Sequence, residues 1–414
     1  MRKNGIWLLV FLCIGMCSFP LLAQGKKENV VTLKMIAPWA DKEFEGFKPV
    51  IEKFELENPG IKIEYRTGKP EDVATILSTQ FSVGKTPADI IDTAWPWYIV
   101  QEAQKGNLLA IDDVVNPADF REGSLDQLMV DGKTYGVTSV GGLTIPEFNA
   151  SLYRDNNLTD PRDVKSLDEL LALMNQVQAL PGVKAAVGTG GGVGWTNTSV
   201  IETWIVAFGG REMYMNLIAG KQAWNSKEVK QVLSTYLLPW LEAGLFGEPE
   251  EVSIVTENMW RNQYGFFVGG TTDSLRFNNP PGDYAIFALP GQKDVVMWSD
   301  YWFIPAYTEH PEEAKKLLAF LSTEGQAIQV KGGGRIATNL NVPLENYPPQ
   351  EQMIMKVVGN YGIVPDMDDT IGGKFQTVMW DQLKLLWSDP SMRILDSVLN
   401  AIESAAIETR ASSK

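Results

Sequence analysis

The chain is nearly without the side chains that do covalent and metal chemistry in most enzymes. Its only cysteines are Cys13 and Cys17, both close to the start, and its only histidine is His310. A disulfide framework and a cysteine nucleophile are therefore excluded from everything after residue 17. One imidazole cannot build a His-Glu-x-x-His zinc site, and it leaves a Ser-His-Asp triad open only if His310 itself serves. Standing before Pro311 at a helix start, His310 reads as a solvated cap. No Gly-x-Ser-x-Gly and no Gly-x-x-x-x-Gly-Lys occurs, and the glycines of Gly188–Gly194 miss the dinucleotide spacing because Val193 fills the sixth position. Positive charge is also short: 36 Lys and Arg stand against 51 Asp and Glu, for a net −15. Nucleic acid and anionic membrane surfaces want the opposite balance, so neither is an expected partner. After the first 25 residues no segment approaches the roughly 18 apolar residues of a membrane helix. No repeat of a solenoid period and no low-complexity tract is present.

What is present begins at the N-terminus. Arg2 and Lys3 precede an apolar run from Ile6 to Met16, then Ser18, Pro20 and Ala23-Gln24-Gly25. That order predicts a secretory signal peptide over residues 1–25 and a protein that works in the periplasm. A lipid anchor on Cys17 is disfavoured, because Met16 before it is not small. The remainder is longer than the about 250–300 residues at which single cores stop growing, so two lobes are expected.

Val30 to Ala37 reads as a buried strand. Asp41 to Glu57 places Phe44, Phe47, Val50, Ile51 and Phe54 at helical spacing, with Asp41 as N-cap and Asn58-Pro59-Gly60 as the stop. A strand at Ile61 to Arg66, a helix over Glu71 to Ser82 and a strand at Ala88 to Thr93 follow. Strand–helix alternation with short links predicts a parallel, doubly wound sheet. Ser166 to Glu169 is a capping box, Pro311 opens another helix, and Phe375 to Trp387 and Pro390 to Ala406 are helical.

Paired acids are the one catalytic option that survives. Asp112-Asp113, Glu250-Glu251 and the Asp366, Asp368, Asp369 group could serve a secreted glycoside hydrolase. Adjacent acids in turns are more often solvated caps, and the last group lacks the calcium-loop spacing. No metal and no cofactor is expected.

Several segments together resemble the family 1 extracellular solute-binding proteins, the sugar-type receptors of ATP-binding-cassette (ABC) importers. They are Val31–Ile36 with Phe54–Ile63, Leu77–Ile90, Gly106–Asp113, Asp131–Val137, Leu152–Asp155, Asp283–Gly291 and Ala314–Gln326. Arg154 stands where the family's motif has asparagine. The resemblance implies an α/β, two-lobed periplasmic-binding-protein-like (type II) fold, with mixed, mostly parallel sheets, helices on both faces and a hinge between lobes. It implies an N-terminal lobe of residues 26–141 plus 295–333 and a C-terminal lobe of 142–294 plus 334–414. Crossings are expected near Gly141-Gly142, Pro290 to Asp294 and Gly332 to Thr338. The implied partners are a small-molecule solute, carbohydrate first, and the membrane permease subunits of an importer; a monomer that is not an enzyme is expected. A polyamine or polyol guest remains the alternative.

Ligands of open α/β sheets bind beyond the carboxyl ends of strands. Trp39, Trp95, Trp195, Trp298 and Trp302 stand at or beside such ends, where a large ring is costly unless something covers it. Trp204, Trp224, Trp240, Trp380 and Trp387 have helical spacing and read as core. Glu43, Asp92, Asn197, Asp273, Asp300 and Arg335 are the polar candidates for the hydroxyl rim of a sugar, where charged groups make the stronger hydrogen bonds.

Overall fold

The computed structural model describes residues 30–121, 124–192, 194–270 and 283–412. The expected signal peptide, Cys17 and Asp273 lie outside the described residues. Strands β1 (Val31–Ala37), β2 (Ile61–Thr67) and β3 (Ile90–Thr93) pair in parallel, with β1 in the middle. The helix Asp41–Glu57 between β1 and β2 buries Phe47, Val50 and Phe54, one face at the spacing of successive turns. The helix Pro70–Phe81 buries Val73, Leu77 and Phe81 in the same way. Truncating Phe54 to alanine would cost about 3–5 kcal/mol, because its neighbours are fixed by the sheet and cannot fill the gap.

Two local expectations are corrected. Asp41 does not cap its helix: Ala40 holds the cap position without a side-chain bond, and Asp41 itself takes a φ of 46°. At the capping box, Ser166 accepts from the Glu169 amide at 3.2 Å, but Glu169 reaches back to the Lys165 amide at 2.9 Å.

The later strands are β4 (Met129–Val130), β5 (Lys133–Thr134), β6 (Val137–Asn149), β7 (Ala185–Gly188), β8 (Tyr264–Gly270) and β9 (Tyr284–Ile286). They continue as β10 (Asp294–Phe303), β11 (Ile336–Ala337) and β12 (Gly362–Pro365). Among the described residues β4 and β5 form a small ribbon, and the other ten strands make one mixed sheet. Its order is β2-β1-β3-β10-β6-β8-β7, with β9 and β11 on β6 and β12 on β10. Antiparallel pairing enters through β6 and β10, the two long strands. All thirteen residues of β6 are buried, as expected of a strand covered on both faces. Gly141 lets the pair approach: a Cβ there would lie 2.0 Å from the Trp298 carbonyl oxygen.

These two strands run from one apolar core to another. Val137, Val140, Tyr301, Trp302 and Phe303 belong to a first core with Leu33, Phe47, Leu77, Leu317, Ala337 and Tyr347. Phe148 and Val296 belong to a second, with Leu170, Trp204, Trp224, Trp240, Leu383 and Leu399. Leu143, Ile145, Val295 and Met297 form a smaller third core with Ile336, Ile354 and Val358. The C-terminal helices Gly373–Ser388 and Met392–Ser412 lie against the second, the latter through Leu395, Val398, Leu399, Ile402 and Ala406.

Candidate functional site

At the end of β3, Asp92 pairs in register with Trp302 and Thr93 with Tyr301 of β10. The register of β10 against β6 shifts between Ser299 and Tyr301, and Asp300 sits in that irregularity. Such shifts re-aim a side chain. Arg335, 7% exposed, enters the same place just before β11. Its Nη2 donates to Glu43 Oε1 at 2.9 Å, and its Nη1 lies 3.8 Å from Asp300 Oδ2. Its guanidinium carbon stands 5.1 Å from the centre of the Trp298 ring, within cation–π range.

Asp92 is 1% exposed, and neither of its carboxylate oxygens has a hydrogen-bond partner. Burial pushes its pKa well above the usual carboxylate value and the charge of Asp300 pushes it further, while Arg335 pulls it down. Tyr65 donates to the Trp39 carbonyl at 2.6 Å, and burial with Asp92 and Glu43 raises its phenol. Three acids thus gather round one guanidinium, with one carboxylate bare of donors. A buried polar group left so costs about 1–3 kcal/mol, which a guest bearing O–H or N–H donors would recover.

The second core supplies a similar set. The loop Gly188–Gly194 leads into the helix Trp195–Trp204. Both amide atoms of Asn197, and the hydroxyls of Thr189 and Thr196, are buried without a partner. Asn197 packs beside Gly191, where a Cβ would stand 2.8 Å from its Oδ1. Trp195 is half-buried. Behind it, Asp368 accepts from Thr198 at 3.0 Å and from the Trp380 indole at 2.5 Å. Glu202, Asp366 and Asp368 bring ligand atoms within 4.8 Å of one another, close enough for a cation. Each is already served by the protein, however: Glu202 accepts from Tyr214 and the Met367 amide, Asp366 from the Asp369 amide. Burial and mutual repulsion raise the pKa of both Glu202 and Asp366.

The segment after Asp366 touches the first core. Thr370 donates to Gln127 at 3.5 Å, and Gln127 donates to the Tyr301 hydroxyl at 2.8 Å. A Cβ on Gly372 would fall 1.9 Å from the Trp97 ring. Trp97 stacks on Trp95 with centroids 5.6 Å apart, both half-buried.

The structure thus brings Glu43, Asp92, Trp298, Asp300 and Arg335 together, and puts Asn197 and Trp195 beside the glycine loop. Trp39 and Trp302 are placed otherwise than as open stacking faces. Each is 1% exposed, they meet edge to face at 5.6 Å, and Trp39 lies against Phe47 at 4.5 Å. Trp302 donates its indole N–H to Ser139 at 3.0 Å, whereas the Trp39 N–H has no partner. The reason is packing: both rings complete the first core. Trp380, read from its spacing as core, is half-buried and serves Asp368. Tyr65, Thr189 and Thr196 were not singled out by sequence; for the threonines, their place at either end of a glycine loop was the available signal.

Bare buried donors and acceptors at strand ends, beside half-covered indoles, define a protein built to hold a small solute. The model of the bacterial extracellular solute-binding protein family matches residues 39–328, and the chain belongs to that family. An uncharacterised ABC transporter extracellular-binding protein of Pyrococcus horikoshii is 37% identical over 397 residues, covering 94% of this chain and 93% of that one. The maltodextrin-binding protein MdxE of Bacillus subtilis is 23% identical over 346 residues, 78% of each chain. Among solved structures, a chitin oligosaccharide binding protein superposes with a TM-score of 0.76 at 18% identity, covering 92% of this chain and 100% of that one. The maltose-bound MalE3 of T. maritima gives 0.69 at 19%, with the same coverage. The fold is therefore the two-lobed α/β fold of periplasmic binding proteins, and the work is solute binding for an ABC transporter, with a small molecule and a permease as partners. No helix among the described residues is long and apolar enough to cross a membrane.

Proposed function

We propose that the chain captures a sugar or oligosaccharide between two halves built on the first and second cores, and hands it to the permease outside the cytoplasm. No bond is made or broken. The observation that carries this reading is the bare, buried carboxylate of Asp92, matched by the bare amide of Asn197 on the other core. Sugar hydroxyls donate and accept at once, so one ring can serve both, while its C–H face lies on an indole such as Trp298 or Trp95. Glu43, Asp300 and Arg335 complete the polar rim, with Trp195 beside the glycine loop. The maltodextrin, chitin-oligosaccharide and maltose named for the similar proteins agree with this guest class. The halves we take as residues 26–141 with 295–333 and residues 142–294 with 334–414, joined through β6, β10 and the stretch that includes β11. Within that joining stretch Ala337 and Tyr347 still pack in the first core, which favours a last crossing after Tyr347 over one at 334.

A polyamine is the second reading. It is favoured by one feature, three acids round a single guanidinium, which is the charge an ammonium group would want. Melting the protein with maltotriose, chitotriose, xylotriose, mannotriose, galactose and spermidine separates the two. Binding only the folded state adds about 2.7 kcal/mol to its stability at a hundredfold excess over Kd, and so raises its melting temperature. A carbohydrate is expected to raise it and spermidine is not; the reverse result transfers the site to the polyamine. Reducing ends released from the same oligosaccharides would instead mark a hydrolase.

A further inference from the structure

Arg335 hangs from a run of three glycines, Gly332–Gly334, of which Gly333 and Gly334 take φ values of 76° and 71°. Such a run has no side chains to anchor it and much backbone freedom to lose. Two contacts fix its path. Gly332 rests on the helix Asp41–Glu57, where an added Cβ would come 3.3 Å from Gly46. On the other side, Glu351 Oε1 accepts the Gly334 N–H at 2.6 Å and would meet a Cβ on Gly333 at 3.2 Å.

Glu351 is 2% exposed, in the first turn of the helix Pro349–Val358. Burial raises its pKa, and the backbone N–H groups of Gly334 and of Glu351 itself oppose the rise. A carboxyl buried on these terms is costly, and the protein bond it is seen to make outside its own helix turn is to the glycine run. That helix is itself held: Ile354 and Val358 pack in the third core with Ile336, the residue that follows Arg335.

We propose that Glu351 is a positioning residue. It fixes the glycine run through the Gly334 amide and so sets the Arg335 guanidinium against Glu43, Asp300 and the Trp298 ring. Because it sits on a helix of the third core, through which β6 and β10 pass between the other two cores, it ties Arg335 to the crossing strands. The role rests on the reading that Arg335 lines the solute site, and the test keeps the two apart.

The variants are Glu351→Ala, Glu351→Gln, Arg335→Ala and the double Glu351→Ala/Arg335→Ala. The probe is whichever of maltotriose, chitotriose, xylotriose and mannotriose raises the melting temperature most. Two quantities are read: Kd for that probe, and amide exchange over residues 332–336 in the guest-free protein. Glu351→Ala is expected to raise Kd about tenfold and to speed exchange at Gly334. Glu351→Gln keeps an oxygen that accepts the same N–H and restores both. The double variant binds no more weakly than Arg335→Ala, since the one residue acts through the other. Unchanged exchange in Glu351→Ala overturns the proposal, whether or not any probe binds. So does a double variant whose losses simply add. An Arg335→Ala variant that binds as tightly as wild type sinks the site reading instead, and with it any part for Glu351 in binding.

Discussion

If Asp92 holds the guest as proposed, stability and binding pull apart at this residue. Its folded pKa stands above the ordinary carboxylate value, so its contribution to stability is most favourable below about pH 4 and is lost as pH rises through the folded value. Asp92→Asn removes that cost while keeping the size of the side chain. The variant is expected to melt higher than wild type at pH 7 to 8, with the difference closing toward about pH 4, and to bind its carbohydrate less tightly. Calorimetric melting across that range with one titration at neutral pH checks both halves. Trp302 behaves in the opposite way. Its ring belongs to the first core and its N–H to Ser139, so Trp302→Phe should lower stability by about 1–3 kcal/mol while the affinity of the folded protein is retained. A drop in affinity with unchanged melting would return Trp302 to the guest.

At the level of elements, the short segment from Asp366 to Gly372 touches both cores, through Met367 on one side and Gly372 against Trp97 on the other. Gly372 has a φ of 65°, and its Cα lies against the Trp97 ring. Gly372→Ala is strained by the backbone and by the ring at once, so Trp97 must move. We expect a weaker carbohydrate affinity with a smaller loss of melting temperature, measured by titration and melting of the same sample. Sequence reasoning found most of the elements here because their signals are local. The helices at Asp41–Glu57, Leu167–Gln178 and Met392–Ser412 carry an apolar stripe, and β1 to β3 carry β-branched runs closed by Pro or Gly. It singled out Glu43, Asp92, Asp300 and Arg335, which the fold brings together, because charged residues at strand ends, in a helix's first turn or beside glycines are conspicuous. It read Trp39 and Trp302 as open faces because the ring that covers each of them is the other, far away in sequence, while Phe47 packs on Trp39 from the helix that follows it. Glu351 was invisible for the same reason: its partner is a backbone amide seventeen positions away.

For the whole molecule, the proposed function makes the two cores joined through β6 and β10 the halves of a clamp whose closure a guest would favour. Micromolar capture is worth about −8 kcal/mol, enough to overcome an open state preferred by a few kcal/mol. Small-angle scattering with and without a bound oligosaccharide should show the radius of gyration fall on binding; an unchanged radius would mean a rigid body. The most direct measurement is a calorimetric titration of the oligosaccharide that raises the melting temperature, into wild type and into Asp92→Ala. We predict saturable binding to wild type and at least tenfold weaker binding to the variant, the loss that follows when a buried acceptor of the guest's hydroxyls is gone. Equal affinity in the two proteins, or no carbohydrate that binds wild type, would contradict the account.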